Sequence, residues 1–174
     1  MSCIALLVPP GLTDLCVQAT LREPAEEAEF RLPIRSPDFK AVGGAVISAF
    51  TAEVDAGGFS GWVTAPDNHE GVRASINEGQ GRKGWALLRN SLHDPLLVLN
   101  VESETPGGVA TATHAAHCWL AQTHAGELDL SALDKMFAPG GPWERFGEME
   151  CNLASSRLGG GACGDLTEAC EVQW

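Results

Sequence analysis

Between residues 62 and 102 the chain is a succession of short extended runs, and the turns between the later ones are too short to hold a helix. The runs are Trp62-Val63-Thr64, Gly71-Val72-Arg73-Ala74-Ser75-Ile76, Trp85-Ala86-Leu87-Leu88-Arg89 and Leu96-Leu97-Val98-Leu99-Asn100-Val101-Glu102. All are rich in residues that favour strands. Gly79-Gln80-Gly81 supplies the turn before the third run, and Pro95 stands before the fourth. Strands joined by such short turns pair antiparallel, because a parallel pair needs a crossover of about a dozen residues or more.

Elements with other periods flank this block. Glu29-Phe30-Arg31-Leu32-Pro33-Ile34 alternates polar and apolar like a half-buried strand, and Pro33 puts it at an edge or at its own end. Ser36-Pro37-Asp38 reads as a helix start: an N-cap, a proline in the first turn and an acid. Phe39, Val42, Val46, Ile47, Phe50 and Val54 then form one helical stripe, and Asp55-Ala56-Gly57-Gly58 ends it. A second helix fits residues 107–124, with Val109, Ala112, Ala116, Trp119 and Leu120 on one side. The order strand–helix–strand–strand–strand–helix points to the α+β class, as a small antiparallel four-stranded sheet with two helices on one face. Trp62, Trp85 and Trp119 are expected in its core.

The ends of the chain differ from this block. Arg22-Glu23-Pro24-Ala25-Glu26-Glu27 is a polar joint, and Glu23, Glu26, Glu27 and Glu29 read as solvated. Residues 137–174 form an acidic, Gly-rich tail, broken by Pro139-Gly140-Gly141-Pro142 and Gly159-Gly160-Gly161, for which disorder is expected. The net charge of -12 argues against nucleic acid or an anionic membrane as partner. Residues 126–174 hold three basic and nine acidic groups, half of that net charge. The six cysteines contain no Cys-x-x-Cys pair, so reduced thiols in an intracellular protein are expected. Pro9-Pro10 cuts off a short apolar start that lacks a basic flank, and neither a secretory nor a transit signal is read there. His114, His117 and Cys118 share a helix face; helix packing is the expectation, with a metal the lesser reading.

The stretch that carries chemistry is Arg89-Asn90-Ser91-Leu92-His93-Asp94-Pro95, a polar loop between two apolar strands. Arg89 offers a flat fork of donors suited to phosphate or carboxylate. Ser91 offers a hydroxyl, His93 a ring donor, and the turn its backbone N–H groups. The same residues also allow a plainer role, in which Arg89 pairs with Asp94 or Glu70 and only fixes the loop.

This loop resembles the C-terminal phosphate-binding loop of the α-D-phosphohexomutases, the phosphoglucomutase/phosphomannomutase family, usually worded Arg-x-Ser-x-Thr-x-Pro. Arg89, Ser91 and Pro95 match in register, and Gly84-Trp85 and Leu99-Asn100-Val101-Glu102 match the flanks. Asp67-Asn68-His69-Glu70-Gly71-Val72-Arg73 resembles the family's Asp/Glu-Gly-Val strand, and Arg22 to Ile34 the joint entering its last domain. The family's Thr is His93 here and its Glu is Asp94, as in a plant-type variant loop, so one phosphate donor would carry a charge that follows pH.

The resemblance implies a TATA-box-binding-protein-like C-terminal mutase domain over residues 28–136, with 1–27 as the remnant of a preceding domain and its linker. It implies that Arg89, Ser91, Leu92 and His93 bind substrate phosphate, supported by Asn90, Asp94, Glu70 and Arg73. The implied ligand is a hexose phosphate, and the implied partners are the remaining mutase domains. No Ser-His-Asn-Pro stretch and no Asp-x-Asp-x-Asp loop occurs, so neither a catalytic residue nor a metal ligand is assigned in this chain; Mg²⁺ is implied only for an intact enzyme. The expected function is a detached grip for the phosphate that is not being transferred, inactive alone, in a cytoplasmic or chloroplast setting. The alternatives are a free-standing phosphosugar-binding or mutase-docking module, and an enzyme that carries out the mutase step alone or by assembling with other chains.

Overall fold

In a computed structural model, residues 23–147 and Met149 are described. Residues 1–22, most of the expected joint-and-remnant segment 1–27, lie outside these residues, as do most of the tail and every cysteine but Cys118.

Alternation of the facing direction sets the sheet. In β3 (Val72–Asn77), Val72, Ala74 and Ile76 are buried while Arg73, Ser75 and Asn77 are exposed. In β1 (Glu26–Pro33), Phe30 and Leu32 are buried between exposed neighbours; β4 (Lys83–Asn90) buries Gly84, Ala86 and Leu88, and β5 (Leu96–Ser103) buries Leu97, Leu99, Val101 and Ser103, with the outward-facing Val98 buried as well. With β2 (Trp62–Thr64) the strands form one antiparallel sheet in the order β1-β5-β4-β3-β2. The sheet therefore has five strands where four were expected. The three-residue β2 is paired along its whole length, Trp62 opposite Ile76 and Thr64 opposite Ala74.

The helices cover one face, as the periodicity requires. In α1 (Phe39–Asp55), Gly43, Val46, Phe50 and Val54 are buried. In α2 (Gly108–Thr123), all five residues of the expected stripe are buried. Two further helices, α3 (Ser131–Phe137) and α4 (Glu144–Gly147), follow within the described residues. Helix α1 begins later than Ser36. Asp38 is its N-cap and accepts from the Ala41 N–H at 3.4 Å, while Ser36 Oγ accepts from the Asp38 N–H. The packed structure reaches past residue 137. Trp143 meets the Phe30 ring edge-on at 5.8 Å and the Phe137 ring at 5.7 Å.

Four aromatic rings bind the helices to the sheet. Phe50 lies 5.2 Å from Phe59, 6.1 Å from Trp62 and 5.3 Å from Trp119, and Phe59 stacks on Trp62 at 4.9 Å. Trp85 is not part of this core. It stands in register with Glu102 on the opposite face and donates its Nε1–H to that carboxylate at 2.9 Å.

The glutamates of the joint are not all solvated. Glu26 reaches over the start of α2 and accepts from the Gly107 N–H at 2.8 Å and the Val109 N–H at 3.4 Å. It thus supplies the anionic cap that Gly107 lacks.

The face shared by His114, His117 and Cys118 packs the chain. His114 meets Phe137 edge-on, and His117 stacks on Phe137 and bonds Asp134 at 2.8 Å. Cys118 is disulfide-bonded, which overturns the expectation of a reduced thiol there. Burial, with a smaller push from His117, holds the His114 pKa below the usual histidine value.

Two outcomes are expected from this packing. Phe50→Ala should cost about 3–5 kcal/mol in urea unfolding, because it opens the centre of the ring cluster. The fold binds a proton at His114 less readily than the unfolded chain does. His114 therefore contributes stability above the unfolded histidine pKa and loses it as pH falls. His114→Phe should then lose less stability than wild type between about pH 7.5 and pH 5.5, read from urea midpoints.

Candidate functional site

The site grows out of the β4–β5 hairpin. Leu88 pairs with Leu99, and both face the helices with no exposure. Alternation then turns Arg89 to the uncovered face, opposite Val98, which in turn stands opposite Arg31 of β1. Val98 points outward and is still 4% exposed. The two arginines flank it, so their alkyl stems are placed to cover it.

The Arg89 guanidinium is not tied down by the loop's own acids. None of the ion pairs among the described residues includes Arg89, and neither Asp94 nor Glu70 reaches it. Both acids are exposed. The reading in which Arg89 only braces the loop therefore lacks the pairs it needs.

Gly71 explains why Glu70-Gly71 leads into β3 at Val72. Its φ is +144°, and a Cβ there would lie 2.3 Å from the Leu88 carbonyl oxygen and 2.8 Å from the Arg89 Cα. The loop entering β3 can lie against Arg89 only because this position lacks a side chain.

The turn itself is closed by three bonds. The Ser91 N–H donates to the Leu96 carbonyl at 2.9 Å, and the Leu96 N–H to that of Asp94 at 2.8 Å. Ser91 Oγ accepts from the Asp94 N–H at 3.3 Å. The Ser91 hydroxyl hydrogen has no acceptor among the described residues, and neither do the Leu92 and His93 N–H groups. Leu92 is 77% exposed at the tip, and His93 beside it is also exposed. An anion at this tip would meet donors for which no group among the described residues competes.

The supporting residues are split between the two faces. Asn90 turns toward the helices and lies against α1; a Cβ on Gly43 would fall within 1.8 Å of Asn90 Oδ1. That oxygen is buried without a partner. Arg73 stands on the same face as Arg89, opposite Leu87, and lays its guanidinium over the Trp85 ring at 4.6 Å.

The sequence reading missed a second feature of this face. A cleft of about 340 Å³ lies across β1, β5 and β4, lined in part by Glu27, Glu29, Trp85, Asn100 and Glu102. The Asn100 amide donates to Glu29 at 3.1 Å, and Arg31 bonds the other Glu29 oxygen at 3.1 Å. The Asn100 bond, then that of Arg31, holds the Glu29 carboxyl below the usual carboxylate range, and Arg89 adds a weaker attraction. The signal was present at alternate positions of an apolar run, Asn100 and Glu102.

Among the described residues no three His, Cys, Asp or Glu side chains converge as metal ligands would. No helix among these residues is long and apolar enough to cross a membrane.

Gly71→Ala should destabilise the domain by about 1–3 kcal/mol and shift the NMR resonances of Arg89 while leaving those of α2 in place. Unchanged Arg89 shifts would show that the close approach does not position the arginine.

Neither a scan against models of known protein families nor a search of curated proteins returns a match for this chain.

Proposed function

We propose that the domain grips the phosphate of a hexose phosphate, as the last domain of a phosphohexomutase grips the phosphate that is not being transferred. The observation that carries this reading is the unpartnered donor set at the β4–β5 turn. Arg89 at the end of β4, and the Ser91 hydroxyl and the Leu92 and His93 N–H groups of the turn that follows it, have no acceptor among the described residues.

Each donor has a distinct role. Arg89 presents two parallel N–H groups to two phosphate oxygens, which fixes the orientation of the anion as well as its place. The two backbone N–H groups carry no side-chain entropy to lose on binding. The His93 ring offers an N–H donor where the family's threonine offers a hydroxyl. The grip is electrostatic and positional, so it holds a substrate in line without itself breaking a bond. The transferring group and the metal would belong to other domains, the proposed partners of this one.

The architecture supports the finer reading too. The first strand lies beside the last, a meander fills the rest of the sheet, and both long helices cover one face. That arrangement accords with a TATA-box-binding-protein-like mutase domain, in which a hairpin tip faces outward to meet substrate. The plant-type Ser-Leu-His-Asp-Pro loop is part of the same proposal.

Titration calorimetry with glucose 6-phosphate tests the grip. Arg89→Ala should weaken binding about tenfold to a hundredfold, the worth of a charge-assisted bidentate contact. Arg89→Lys should recover part of that loss. Equal affinity of wild type and Arg89→Ala would refute the assignment.

A further inference from the structure

The root of the β4–β5 turn lies against two glycines that come from separate elements. Gly71, entering β3, approaches the Leu88 carbonyl and the Arg89 Cα from the side of the neighbouring strand. Gly43 of α1 approaches from the helix side, and what it meets is the Asn90 side chain. A Cβ added at Gly43 would run into the oxygen, the carbon and the nitrogen of that amide alike. In place of a Cβ the glycine turns a Cα–H toward the amide, and that is a weak donor. The Asn90 Oδ1 is buried and has no N–H or O–H partner among the described residues.

Each half of this contact weakens the fold when taken alone. A glycine inside a helix costs stability against alanine, because its backbone is freer in the unfolded chain. A buried amide oxygen without a donor gives up the hydrogen bonds it made to water. Asn90 stands opposite the fully buried Leu97, so burial alone favours an apolar side chain at this position. Gly44 supplies the contrast within the same helix turn, since a Cβ there meets nothing within 4 Å. Gly43 thus makes room for one particular group. That group stands between Arg89, which ends the outward row, and Ser91, whose N–H closes the turn on the Leu96 carbonyl. A side chain pinned on α1 fixes the backbone at residue 90, and with it the direction in which the turn leaves the sheet.

We infer that Gly43 and Asn90 form a positioning contact, in which the amide wedged against α1 sets the place of the Arg89, Ser91 and Leu92 donors. The helix that covers one face of the sheet thereby aims the turn at its end. The inference rests on the phosphate grip proposed above and adds to it the element that keeps the grip in shape. Neither residue touches the anion; both act through the backbone of the turn.

Four variants of the full chain test this: Gly44→Ala, Gly43→Ala, Asn90→Ala and the Gly43→Ala/Asn90→Ala double. Each is titrated by calorimetry with inorganic phosphate and with glucose 6-phosphate, and its amide NMR spectrum without ligand is compared with that of wild type. Gly44→Ala should bind as wild type does and leave the turn's signals in place, because its methyl enters open space. Gly43→Ala should move the Ser91 and Leu92 amides and Arg89 Nε, leave the amides of α2 in place, and weaken both probes about fivefold, the worth of one displaced hydrogen bond. Asn90→Ala should weaken them to a similar extent. The double variant should bind as Asn90→Ala does, because without the amide the new methyl has room. Wild-type affinity in both single variants would overturn the positioning role and keep the grip, even if both had lost stability. Losses that add in the double variant would overturn it as well, since the two residues would then act separately. If Gly43→Ala fails to fold, the affinity of Asn90→Ala decides. Absence of binding of both probes by wild type overturns the grip, and the positioning role with it.

Discussion

The register of β4 on β5 is the constraint on which the rest of the molecule depends. Leu88 opposite Leu99 and Asn90 opposite Leu97 face the helices, so Arg89 opposite Val98 must face away. A slip of one residue would turn Arg89 into the core and lift Leu88 into water. The burial of Leu88, Leu97 and Leu99 forbids that slip, because each fully buried leucine is worth about 2 kcal/mol. Apolar packing on one face thus aims the polar groups on the other. The turn that joins the two strands is held by its own backbone bonds and by Ser91, which leaves the outward N–H groups of Leu92 and His93 for something else.

The same register explains how an acidic chain can gather basic side chains on one face. The net charge of -12 is a property of the whole sequence, whereas the register sets Arg89 and Arg31 in one row, and Arg73 beyond them. Fields at the scale of a site are set by near neighbours, since charges beyond about 8–10 Å are screened at ordinary salt. Glu29 tempers the patch, but its two oxygens already serve Asn100 and Arg31.

Much of this fold could be read from periodicity. The stripes of both long helices, the apolar β5 and the turn at Gly79–Gly81 declare themselves in local patterns. What was not legible depends on partners distant in sequence. Trp85 looks like a core residue in an apolar run; only its pairing opposite Glu102 shows that it faces out. Glu26 looks solvated until β1 is laid beside β5, which carries it to the start of α2, 81 residues away in sequence from the Gly107 N–H. The three-residue β2 is too short to weigh as a fifth strand without Trp62 buried against Phe59. In the loop, the residue types were legible, but the lack of an Arg89 ion pair among the described residues and the close approach of Gly71 are facts of geometry. The cleft over Asn100 needs three strands side by side, and no single segment announces it.

The central claim is that the tip of the β4–β5 turn receives a phosphomonoester through the Leu92 and His93 N–H groups and Arg89. Amide and guanidinium NMR shifts followed during addition of glucose 6-phosphate test it most directly. The account predicts saturable shifts at the Leu92 and His93 amides and at Arg89 Nε, with the amides of α1 and α2 nearly still. Saturable shifts elsewhere on the domain, with the Leu92, His93 and Arg89 signals unmoved, would contradict it.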